Sequence, residues 1–160
     1  MRASEKLKNF MKRKEDEIAF LTGAKTFKSY LCPAGRLTIG WGHTGADVRK
    51  GKTITRAEAD ELFNKDLSAF EDALNREMEK NNVELTQGQF DALVDLSYNL
   101  GSSRFFKTTL WKKVVNNDLT GAANEFPKLN KAHDENGNLI VLSGLTKRRK
   151  FEQKMFLGKE

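Results

Sequence analysis

The most constraining stretch of the chain runs from Cys32 to Thr44, Cys-Pro-Ala-Gly-Arg-Leu-Thr-Ile-Gly-Trp-Gly-His-Thr. Pro33 and Gly35 force a turn, and Arg36 to Ile39 then reads as a short strand. Gly40 and Gly42 keep the backbone bare on both sides of Trp41, so that another group can approach closely. The segment gathers a thiol (Cys32), a hydroxyl (Thr38) and an imidazole (His43) around one hairpin. A simple reversal of the chain needs none of these groups.

The surrounding pattern changes character twice. Leu7, Phe10 and Met11 recur at helical spacing behind Ser4, a residue suited to capping. From Phe27 to Ile39 the texture becomes short and partly alternating, as in a small antiparallel sheet. After that the chain is helical. Thr55-Arg56-Ala57-Glu58 is a capping box that opens an apolar stripe of Ala59, Leu62, Phe63, Leu67, Phe70 and Leu74, ending near Met78. Thr86 and Gln89 form a second box ahead of Phe90, Leu93 and Val94, and Gly101 suits a left-handed C-terminal position. Leu110 to Val115, Thr120 to Phe126 (limited by Pro127) and Leu145 to Phe156 (capped by Ser143) read as further helices. Asn136-Gly137 is a hairpin-turn dipeptide in a polar loop that also holds a solvated His133. One small sheet followed by many helices is an α+β pattern.

The Cys32 to Thr44 stretch closely resembles the phage-type lysozymes, the family 24 glycoside hydrolases that cut bacterial peptidoglycan. The order of an acidic residue or Cys, a spacer, Thr, and then Ile-Gly-aromatic-Gly-His-Thr is the same. The likeness continues through Thr53 to Asp66, Leu85 to Thr109, Ala122 to Ala132 and Ser143 to Leu157. It implies a lysozyme-like fold with a β-lobe at about 16–54 and a helical lobe at about 1–15 and 55–160. It also implies a muramidase that hydrolyses the bond between N-acetylmuramic acid and N-acetylglucosamine, as a phage or prophage endolysin. The family places a catalytic Glu at the end of the first helix, matched by Glu15, while Cys32 and Thr38 match the pair that handles water. Tyr98, Asn99 and Thr109 match segments that line the sugar groove, and His43 matches a structural histidine paired with a carboxylate at Asp66. Trp41 is a further sugar platform to consider, whereas Trp111 reads as buried.

One region departs from the family. Sixteen residues, Asp16 to Leu31, separate Glu15 from Cys32, twice the family's spacing. Either about eight residues are inserted within Asp16 to Thr26, or an ungapped match puts Gly23 where the acid belongs. Ile18 and Leu21 continue the Leu7–Met11 stripe, so a first helix running to Leu21 would carry Glu15 in its interior. A loop or hairpin would leave Glu15 at the helix end, with Phe20, Leu21 and Phe27 as anchors. Glu17 is a substitute acid. A module that binds glycan or scaffolds a partner with its acid lost is the alternative function.

Composition narrows the rest. At 160 residues, with 38% hydrophobic and 31% charged residues, the chain suits one domain with a core. No apolar run approaches membrane-spanning length, and the N-terminal stretch reads as carrying no signal peptide. A single cysteine forms no internal disulfide, and no structural metal site or cofactor is implied. The charge of +6 favours polyanionic partners, but the densest basic run, Lys147 to Lys150, falls within a helix and has no interleaved aromatics. The resemblance implies peptidoglycan as the partner and residence in the host cytoplasm until release to the wall; the charge pattern speaks against nucleic acid, and a monomer is expected.

Overall fold

In a computed structural model describing residues 1–32 and 35–159, the chain divides into two compact units. One comprises Glu5–Ala69; the other comprises Met1–Ser4 together with the chain from Phe70 onward. The turn expected at Pro33 lies outside the described residues, although Gly35 N–H donates to Cys32 O at 2.8 Å and Cys32 N–H to Arg36 O at 2.9 Å across it.

The first unit opens with α1 (Glu5–Glu15), which buries Leu7 and Met11. α1 stops because the next backbone leaves the helical region. Asp16 has φ −151° and ψ 89°, and its carboxylate accepts from Ala19 N–H at 2.9 Å, capping a separate helix α2 (Glu17–Thr22). Gly23, in the left-handed conformation, closes α2. The additional segment is therefore a capped helix of its own, neither a continuation of α1 nor a loop. Ile18 and Leu21 do not extend the α1 stripe: they are 77% and 62% exposed, and Ala19 is the buried residue instead.

Two small antiparallel sheets follow. β1 (Thr26–Lys28) pairs with β5 (Thr53–Thr55), with Phe27 opposite Ile54 and both buried. β2 (Tyr30–Leu31), β3 (Leu37–Ile39) and β4 (His43–Thr44) form a three-stranded sheet in that order. The capping box at Thr55 is present, with Glu58 N–H donating to Thr55 Oγ1 at 3.1 Å and Thr55 N–H to Glu58 Oε1 at 3.0 Å. It starts α3 (Arg56–Lys80), whose Ala59, Phe63 and Leu67 are buried.

The second unit is built on α4 (Gln87–Leu100), which begins with the expected Thr86/Gln89 box and is buried from Phe90 to Ser97. Gly101 ends it with φ 89° but ψ 141°, so its positive φ is not the left-handed helical cap expected. α5 (Ser102–Phe105), α6 (Thr109–Val115), α7 (Leu119–Ala123) and a 3-10 turn at Phe126–Lys128 lead to a hairpin of β6 (Lys131–His133) and β7 (Leu139–Val141). The polar loop around Asn136-Gly137 thus tips a regular hairpin. α8 (Ser143–Phe156) includes Ser143, and the residue before it, Leu142, makes no side-chain cap.

α8 is fixed to α4 by buried charge. Arg148 donates to both oxygens of Asp95, at 2.9 and 2.7 Å, while the fully buried Arg149 donates to Glu152 at 2.8 Å and to Asn99 Oδ1 at 2.9 Å. Burial favours the neutral form of Asp95, but Arg148 outweighs it and holds the carboxyl below the usual range. Burial, then the neighbouring Asp95 charge, drive Glu152 the other way.

Candidate active site

Within the Glu5–Ala69 unit the residues singled out above lie around the β3–β4 turn. That turn is pegged by Trp41, 1% exposed, whose indole Nε1–H donates to Asp60 Oδ1 at 2.8 Å. Phe27 meets its ring edge-on at 4.8 Å, the Arg56 guanidinium lies over it at 5.1 Å, and Lys12 Nζ at 5.9 Å. Lys12 also pairs with Asp60 at 2.9 Å. Burial raises the Asp60 pKa, but hydrogen bonds from Lys12 and Trp41 prevail and keep it low. Trp41 is therefore a core residue and offers no face to a sugar, contrary to the platform role considered for it.

The peg explains the two glycines. Gly40, at φ 64°, leaves room for Ala59, whose Cβ would lie 3.1 Å from a Cβ added there. Gly42, at φ 90°, faces Glu15: an added Cβ would lie 2.6 Å from Glu15 Oε2 and 2.8 Å from Cδ. The turn backbone thus rests against the carboxyl group that ends α1.

β3 carries Thr38, 3% exposed, with its hydroxyl donating to Arg36 O at 3.1 Å. Its proton is committed to that carbonyl, leaving the oxygen lone pairs as acceptors. Thr38 is paired in register with Tyr30 on β2 and Thr44 on β4. Tyr30 is a residue that sequence reading missed. Its hydroxyl pKa is raised, chiefly by burial and then by the negative charges of Glu15, Asp16 and Cys32. It follows that Tyr30, Glu15 and Cys32 share one electrostatic neighbourhood. The alternation that makes Tyr30 and Thr38 partners was available as a signal. Cys32 is half-buried.

On β4, His43 Nδ1 lies 2.7 Å from Asp66 Oδ2, and Nε2 lies 3.0 Å from Asp47 Oδ2. Burial pulls the His43 pKa down, yet the hydrogen bonds that the ring donates to Asp66 and Asp47 outweigh it and the net shift is upward. Asp47 is held low, mainly by its hydrogen bond with His43. Asp47 was not anticipated, although its place four residues after His43 was a clue. Glu17, the substitute acid, is held by Arg13 through Nε at 3.0 Å and Nη2 at 2.9 Å.

The remaining residues belong to the second unit. Tyr98 is half-buried, with its ring centroid 5.1 Å from that of Phe70. Asn99 is exposed, but its carbonyl oxygen is taken by Arg149. Thr109 is exposed at the start of α6, where the cap is its neighbour Thr108, accepting from Trp111 N–H at 3.1 Å. Trp111 is buried against Phe105 and Phe106. Among the described residues, no group of three or more His, Cys, Asp and Glu could hold a metal ion.

The chain as a whole is similar to known phage proteins. The family model described as phage lysozyme matches residues 22–152, beginning beyond Glu15. An endolysin of Acyrthosiphon pisum secondary endosymbiont phage 1 is 40% identical over 129 residues, covering 81% of this chain and 85% of that protein. Among solved structures, an endolysin from Escherichia coli O157:H7 phage FAHEc1 superposes with a TM-score of 0.82 at 29% identity, covering 98% of this chain and 94% of the other. A point mutant of P22 lysozyme superposes with a TM-score of 0.73 at 31% identity, covering 98% of this chain and 99% of the other.

Proposed function

The chain belongs to the phage lysozyme family, a muramidase of the endolysin kind acting on peptidoglycan, and on that premise we propose which residues carry the reaction. Glu15 is the general acid, protonating the glycosidic oxygen between N-acetylmuramic acid and N-acetylglucosamine as that bond breaks. Water adds to the anomeric carbon. Thr38 Oγ1, its own proton given to Arg36 O, accepts from this water and orients it. Cys32, acting as its thiolate, takes the water's other proton as it attacks and becomes the neutral thiol, while Glu15 is left as the carboxylate. The scheme uses no cofactor and no metal. The observation that carries it is the contact between the Glu15 carboxyl and Gly42, in the turn directly after the strand bearing Thr38.

The proposal extends to Tyr98, Asn99 and Thr109 as sugar contacts, Asn99 through its amide NH2 group, and to His43 with Asp66 as a brace for the β3–β4 turn. It takes the protein to act as a monomer, to bind no nucleic acid, and to stay in the host cytoplasm until it reaches the wall. Against nucleic acid, Arg148 and Arg149 of the basic run are used by Asp95 and Glu152, leaving Lys147 and Lys150 exposed. No helix among the described residues is long and apolar enough to cross a membrane.

The test is clearing of purified cell walls by Glu15→Gln. Lysis should be abolished while the circular dichroism spectrum and unfolding midpoint stay at wild-type values. Full lysis by a folded Glu15→Gln protein removes Glu15 from the mechanism. The binding-module alternative requires wall binding without clearing by the wild type.

A further inference from the structure

The β6–β7 hairpin carries an apolar strand that the protein leaves uncovered. Leu139, Ile140, Val141 and Leu142 are 57%, 39%, 58% and 39% exposed, four consecutive large apolar residues at the surface. Isolated exposed apolar side chains are ordinary, but a contiguous row on an edge strand is an adhesive surface unless something covers it. The neighbouring charge indicates what does. The register sets Lys131 opposite Val141 and His133 opposite Leu139, so one face of the hairpin places the apolar Val141 and Leu139 directly beside the cationic Lys131 and the polar His133. Lys131 and His133 are exposed, as are Lys147 and Lys150 on the helix that follows. The acids of the region lie at the turn, where the Asp134 carboxylate accepts from the amides of Asn136 and Asn138, both at 2.9 Å, with exposed Glu135 beside it.

We propose that this hairpin docks the protein on an anionic lipid surface, with the Leu139–Leu142 strand lying along the boundary between headgroups and acyl chains and Lys131, Lys147 and Lys150 on the headgroups. Apolar burial and attraction to anionic headgroups add together in such interfacial binding. The acids at the tip dictate that the hairpin lies flat on its apolar strand rather than entering turn first. The same charge argues against a second copy as the cover: a chain already at +6 would bring two such cationic surfaces together.

The test is co-sedimentation of the full chain with vesicles of phosphatidylethanolamine and phosphatidylglycerol, against vesicles of phosphatidylcholine alone. The wild type should sediment with the anionic vesicles and far less with the neutral ones, and added salt should weaken binding. Leu139→Ser with Val141→Ser should reduce partitioning about tenfold or more, because both apolar side chains are withdrawn from the lipid boundary. Lys131→Glu, which leaves the apolar row in place, should also weaken it. All variants should clear purified, lipid-free walls at the wild-type rate, which checks their folding. Three results overturn the proposal: no wild-type binding to anionic vesicles, equal binding by the Leu139→Ser/Val141→Ser protein, or a dimer abolished by that double substitution without any vesicle binding.

Discussion

Replacing Gly42 with alanine tests the proposed site more sharply than removing the acid, because it keeps every reacting group chemically intact and moves only one of them. The substitution acts twice. At φ 90° an L-residue sits where its Cβ crowds the carbonyl, at a cost of about 1–2 kcal/mol. The new methyl group would also lie 2.6 Å from Glu15 Oε2 and 2.8 Å from Cδ. Non-bonded heavy atoms settle near about 3.5 Å or beyond, so the carboxyl has to retreat by about 1 Å. For the general acid proposed at Glu15, which would deliver a proton to one oxygen, a misplacement of about 1 Å costs on the order of 100-fold in rate. The strain alone lowers the melting temperature by about 2–8 °C. Gly51→Ala is the matched control: φ is 80°, similar strain applies, and nothing lies within 4 Å of its added Cβ. Both variants should lose similar stability in urea denaturation. Only Gly42→Ala should clear walls about 100-fold more slowly. If the two variants clear walls equally well, the Glu15 carboxyl does not depend on the turn, and the reasoning that ties it to Thr38 through Gly42 fails.

Two further outcomes follow from the charged clusters. His43, raised, contributes stability that is full below its ordinary value of 6.5 and fades as pH climbs through its folded value. Asp47, lowered, contributes stability present above its ordinary 3.8 that fades as pH drops through its folded value. The His43→Phe protein should therefore fall furthest below the wild type in urea stability at mildly acidic pH, between those two values, and a flat difference across pH would dismiss the cluster. Asp95→Asn should destabilise the protein by about 3–5 kcal/mol, since the fully buried carboxylate that accepts two hydrogen bonds from Arg148 loses its charge, and a loss under about 1 kcal/mol in denaturant titration would show that the pair is dispensable.

Local chemistry made much of this fold readable in advance. The Thr55 and Thr86 boxes settle their helix starts within four residues, because donor and acceptor lie in the same short string. Trp41 shows where such reading ends. A sugar-platform role needs an exposed ring, but whether an aromatic faces solvent is decided by Phe27, Asp60, Arg56 and Lys12, which come from three other elements. Asn99 is a similar case, since Arg149 takes its carbonyl oxygen from fifty residues away. Tyr30 was legible only through a strand register, which required knowing where β2 begins.

The segment after Glu15 is where two sequence signals competed, and the outcome bears on the site. Apolar spacing from Leu7 through Met11 to Ile18 and Leu21 favoured one long helix. The capping capacity of Asp16, which the sequence reading did not use, wins instead: its side chain accepts from Ala19 N–H, and α1 ends at Glu15. Tertiary contacts then hold the break. Arg56 Nη1 donates to Ala19 O at 3.2 Å and to Ala24 O at 3.0 Å, binding carbonyls in and just beyond α2. The same guanidinium lies over Trp41, the residue that pegs the turn against which Glu15 rests. The added helix is therefore fastened to the group that sets the position of Gly42. On the proposed assignment of Glu15, a segment that caps itself through Asp16 and anchors through Arg56 can follow the acid without carrying it away from the β3–β4 turn.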